Sequence, residues 1–71
     1  MRYLVVVEQG PRSFSADVPD VPGCIAAADT RDGVLVLIRE AIEFHIEGLK
    51  EEGLPIPTPS SSSEVVEVKA A

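Results

Sequence analysis

The chain has one cysteine, one histidine, no tryptophan and only 4% aromatic residues, and six basic side chains stand against twelve acidic ones. Each shortage excludes something. With Cys24 alone, neither an intramolecular disulfide framework nor a CxxC metal site can form. Arg2, Arg12, Arg31, Arg39, Lys50 and Lys69 are scattered rather than clustered, so no surface is set up to track phosphates, and direct DNA binding is not expected. The formal charge of −6 and sequence pI near 4.5 instead suit a basic protein partner, because opposite potentials speed encounter. The longest early apolar run, Tyr3 to Val7, is too short for a membrane span or a signal-peptide core. A cytoplasmic protein without membrane contact is the expectation.

A length of 71 residues supports one small core and a single domain, 1–71. A chain this short buries only about 60% of its unfolded surface. Without cross-links, self-association is the usual supplement.

Arg2 to Glu8 is β-branched and apolar on both alternating sets, the pattern of a central strand buried on two faces. Gln9-Gly10-Pro11-Arg12 carries turn chemistry. Ser13 to Val18 then alternates, with Phe14, Ala16 and Val18 on one face and Ser13, Ser15 and Asp17 on the other. The Pro19–Gly23 stretch cannot supply a continuous ladder, and Cys24 to Ala28 reads as a short third strand at an edge. Asp29 or Thr30 can cap a helix, with Asp32 in its first turn. Val34, Leu37, Ile38, Ala41, Phe44 or His45, and Leu49 follow one helical face, widened by Leu35, Ile42 and Ile46. Gly53 and Pro55 end that helix.

Residues 55–63 form a proline- and serine-rich connection, and Glu64 to Lys69 reads as a fourth strand before Ala70 and Ala71 fray. The result is an α+β fold of order β-β-β-α-β. A right-handed crossover makes the last strand pair with the first, giving a mixed four-stranded sheet of order 3-2-1-4 with the long helix on one face. The other face then carries Leu4 and Val6 uncovered, which predicts a homodimer or larger oligomer through that face.

Catalytic, cofactor and metal sites find little support. Cys24 with His45 is the one nucleophile–base pair available, and each is explained by packing. A metal-dependent nuclease needs carboxylates converging from several elements, yet strand one has only valines and a leucine at its centre. The glycines match no phosphate-binding loop. No catalytic residue, cofactor or metal ligand is therefore assigned.

The spaced motifs Pro19-Asp20-Val21-Pro22-Gly23-Cys24, Asp29-Thr30, Glu40-Ala41-Ile42 with Phe44-His45-Ile46-Glu47, and Gly53-Leu54-Pro55-Ile56-Pro57-Thr58-Pro59 together resemble the HicB-like antitoxin family of bacteria and archaea. That resemblance implies a partial ribonuclease-H-like fold. It also implies a non-catalytic protein that neutralises a HicA-like toxin, a small basic ribonuclease, by covering its active surface. Ala28 and Gly33 replace the glycine and glutamate more usual in the family around the helix start, and glycine there costs about 1 kcal/mol against alanine. Many family members continue into a C-terminal DNA-binding module, and none is expected here. The Asp20, Val21, Pro22 and Gly23 loop is the candidate partner-binding element, since rigid loop residues carry recognition more often than core residues do. Two other readings differ in class: an orphan homo-oligomer of this fold with another protein or small-molecule ligand, and the metal-dependent nuclease.

Overall fold

The computed structural model describes residues 1–70; the fraying expected at Ala71 lies outside them. Three short strands, β1 (Val6–Gln9), β2 (Phe14–Asp17) and β3 (Ile25–Ala28), precede one helix, α1 (Arg31–Glu51). The strands form an antiparallel sheet of order β1-β2-β3, with Val7 opposite Ala16 and Ala16 opposite Ala26. The fold is α+β with the helix on one face of the sheet.

Alternation decides what is inside. Ala16 and Val18 from β2 and its extension meet Val21 and Cys24 from the following loop and Val34 and Ile38 from α1, and these six make the buried core. Tyr3, Val5, Val7, Phe14, Ala26 and Ala28 line its margin. The alanines on β3 are small enough to let the helix approach the sheet closely, and α1 lies chiefly over β3 and β2. Burial at this scale is what holds a short chain together, at roughly 1.5–3 kcal/mol for each fully buried aliphatic side chain.

Both helix ends are chemically specified. Thr30 is the N-cap: its Oγ1 accepts from the Gly33 backbone N–H at 2.9 Å, with Asp32 in the first turn. At the other end Leu54 N–H donates to Leu49 C=O at 2.9 Å and Gly53 N–H to Lys50 C=O at 3.1 Å, a Schellman closure. It requires a left-handed residue after the cap, which Gly53 supplies at φ +68°.

Gly33 has a local reason that its helix propensity hides. A β-carbon there would lie 2.8 Å from Thr30 Oγ1 and 3.5 Å from the Ala28 β-carbon. The missing side chain leaves room for the cap.

Two expectations are corrected. First, the opening strand is shorter and sits at an edge: β1 starts at Val6 and pairs only with β2. Val18 N–H turns to Cys24 C=O at 3.3 Å, so the continuation of β2 curls into the loop and offers Tyr3–Val5 no ladder. Second, the four-stranded 3-2-1-4 sheet is reduced to three strands, because Glu64–Lys69 is exposed and joins no ladder. Its root is held elsewhere. Ser60 and Ser61 are tied to Asp20, in the loop that follows β2.

Candidate partner-binding surface

The loop between β2 and β3 is built from two tight bonds, Val21 N–H to Val18 C=O at 3.0 Å and Cys24 N–H to Val21 C=O at 3.1 Å. Gly23 takes φ +82°, a conformation that side chains rarely adopt. The four residues singled out there have different environments. Val21 is fully buried in the core, whereas Pro22 and Gly23 are exposed.

Asp20 is engaged within the chain. Its carboxylate accepts the backbone N–H groups of Ser60 (2.9 Å) and Ser61 (2.8 Å) and both hydroxyls, at 3.0 and 2.8 Å. These bonds favour the ionised form, the backbone N–H of Ser61 most and that of Ser60 next, and lower the carboxyl from 3.8 to about 2. The connection is held a second time where Tyr3 hydroxyl donates to Pro57 C=O at 2.5 Å.

Cys24 and His45 do not form an activated pair. Cys24 is buried, and desolvation pushes its thiol up, the opposite of what a nucleophile needs. Among the described residues no three His, Cys, Asp or Glu side chains cluster closely enough to hold a metal ion, and no buried side-chain polar atom lacks a partner.

What the surface offers is apolar area set among carboxylates. Opposite the helix, Val6, Asp17 and Ile25 lie side by side across the three strands, with Ile25 72% exposed. Leu4 precedes β1, belongs to no ladder and is half-buried. On α1, Leu37 is partly exposed and Phe44, two turns on, is 83% exposed. Glu40, Glu43 and Glu47 flank them on one side of the same helix.

The Leu37–Phe44 pair was hidden in the sequence inside a broad apolar stripe. In the structure His45, Ala41 and Ile42 turn inward and Phe44 does not. The available signal was an aromatic one position out of phase with Val34, Ile38 and Ala41.

A model of the family described as HicB-like antitoxin of bacterial toxin-antitoxin system matches residues 3–70. The chain belongs to the HicB-like antitoxin family. Antitoxin HicB 2 of Photorhabdus laumondii is 33% identical over 72 aligned positions, which cover all of this chain and 52% of that protein. An uncharacterized 14.9 kDa protein from the rep-hol intergenic region of Haemophilus phage HP1 is 40% identical over 57 residues, 80% of this chain and 43% of that protein. The HicB-like chain thus spans about half the length of these two relatives. UPF0150 protein Ta0767 of Thermoplasma acidophilum is 34% identical over 58 residues, covering 80% of this chain and 84% of the relative. Among solved structures, a chain of the HicA3 and HicB3 toxin-antitoxin complex superposes with a TM-score of 0.70 at 32% identity, over 84% of this chain and 70% of that one.

Proposed function

We propose that this HicB-like protein is the antitoxin of a toxin–antitoxin pair. It is a non-catalytic binding module that covers the active surface of a small basic HicA-like ribonuclease in the cytoplasm. The observation that carries this reading is the 0.70 TM-score match, at 32% identity, to a chain of a HicA3 and HicB3 complex. The charge of −6 supplies the electrostatic complement to a basic toxin.

The helix stripe of Leu37 and Phe44 is the toxin-docking surface. Apolar anchors flanked by charges of one sign favour a partner of the other sign. Pro22 and Gly23, the exposed part of the Asp20–Gly23 loop, form a second contact. The open sheet face with Leu4 and Val6 serves self-association. A fourth strand from Glu64–Lys69, supplied once the chain is assembled, completes a partial ribonuclease-H-like sheet.

Co-expression tests the role. A HicA-like ribonuclease encoded beside this chain is expected to arrest growth alone, and growth returns with a co-purifying complex when both are made. If the toxin stays active and unbound at equal expression, the antitoxin reading fails.

A further inference from the structure

Phe44 stands out from α1 with 83% of its surface exposed, and it belongs to neither the buried core nor its margin. Its neighbours on the helix surface differ in kind. Glu40 and Glu47, four positions before and three after, are exposed on one side of the ring, and Gly48, four positions after, lies on the other. Helical side chains lean toward the N-terminus, so a side chain at position 48 would lie back over the ring. Glycine leaves that face open.

Packing gives no reason for this glycine. A β-carbon added at Gly48 would meet nothing within 4 Å, and inside a helix glycine is disfavoured against alanine. Gly33, in the same helix, makes room for its cap. A group that approaches from outside the chain supplies the corresponding reason at Gly48.

We infer that the ring, the two carboxylates and the glycine form a seat for one cationic side chain of the toxin, which stacks on Phe44 over Gly48 while Glu40 and Glu47 take its charge. The inference rests on the antitoxin reading and names the chemistry of the contact at its docking stripe. Charge selects the occupant. An apolar side chain pressed onto the ring would strip water from the adjoining carboxylates and leave them unpaired, which is costly. A cation compensates them and is drawn to the negative face of the ring. The net charge of −6 favours a partner of the same sign as that cation.

Ring electrostatics separate such a seat from a purely apolar contact. Replacing Phe44 in the full chain by 4-fluoro-, 3,5-difluoro- and 3,4,5-trifluorophenylalanine withdraws charge from the ring face while keeping its shape and apolar character. Affinity for the HicA-like ribonuclease encoded beside this chain, read by calorimetric titration, is expected to fall at each step and by about tenfold at the third. Affinity that stays level or rises along the series means an apolar contact and overturns the seat. Gly48→Leu covers the ring from within the helix. It should raise the denaturation midpoint, since leucine is the better helix former, and cut affinity by about tenfold. Unchanged binding in that variant overturns the seat as well. In both of these failures the unsubstituted chain still binds the toxin, and the antitoxin reading stands. If the unsubstituted chain does not bind, the antitoxin reading fails and the seat fails with it.

Discussion

Ser61 gives both its backbone N–H and its hydroxyl to the carboxylate of Asp20, each at 2.8 Å. Ser60 adds two more bonds to the same group. A single side chain in the β2–β3 loop therefore fixes the path of the chain forty residues later. The loop motif is at once a turn and a clamp, which accounts for an aspartate at this position without assigning it to a partner.

The clamp predicts a defined response to mutation and acid. Asp20→Ala should raise amide exchange at Ser60 and Ser61 and open the Pro57–Ser63 stretch to proteolysis, while α1 keeps its protection. The folded-state carboxyl lies at about 2, below its ordinary 3.8, so its contribution is fully present above 3.8 and is lost as pH falls through 2. A carbon-13 titration of the Asp20 carboxyl should give a midpoint near 2, with Ser60 and Ser61 amide shifts following it. Titration at the ordinary value would show that the clamp is not formed in solution.

Gly33 and Thr30 should prove coupled. Replacing glycine by alanine inside a helix ordinarily stabilises by about 1 kcal/mol. Here the new β-carbon would meet Thr30 Oγ1 at 2.8 Å and displace the cap, whose loss costs about 1 kcal/mol. Gly33→Ala alone should therefore be close to neutral, whereas in a Thr30→Ala background it should recover most of its intrinsic gain. A double-mutant cycle by urea denaturation measures the difference, and additivity would remove the steric account.

The three strands, the capped helix and the order of the first three strands were legible because each rests on local chemistry: period-two alternation in Phe14–Asp17, Thr30 before Asp32, Gly53 before Pro55. The extent of β1 was not. Tyr3–Val7 is apolar on both sets, yet whether it pairs depends on where the partner strand curls away, and Val18 turns to Cys24 through a backbone bond that no periodicity records. The fourth strand failed for a related reason. Glu64–Lys69 has strand propensity, but placement depends on a clamp between residues forty positions apart. On the candidate surface, composition showed the acidic excess, and helical phase alone did not separate Phe44 from His45.

Cys24 provides a probe of global opening. It is buried in the core with its thiol pushed up by desolvation, so alkylation in native buffer should be far slower than in denaturant and should track unfolding. Cys24→Ser buries a hydroxyl among Val21, Val34 and Ile38 and should destabilise by roughly 1–3 kcal/mol. Rapid modification of the native protein would contradict the burial.

Phe44 separates folding from recognition. Its ring is 83% exposed, so Phe44→Ala should change stability by less than about 0.5 kcal/mol. Anchoring aromatics at the centre of an interface commonly account for about 2 kcal/mol or more each. If the Leu37–Phe44 stripe docks the toxin, Phe44→Ala should weaken binding more than tenfold, and Glu43→Lys beside it should slow association at low salt. Buried Ile38→Ala should behave oppositely, lowering stability by about 2–5 kcal/mol without a direct effect on the docking surface of the molecules that remain folded. Calorimetric titration of each variant with toxin, beside its denaturation curve, gives both quantities. Unchanged affinity in Phe44→Ala would move the toxin interface off the helix.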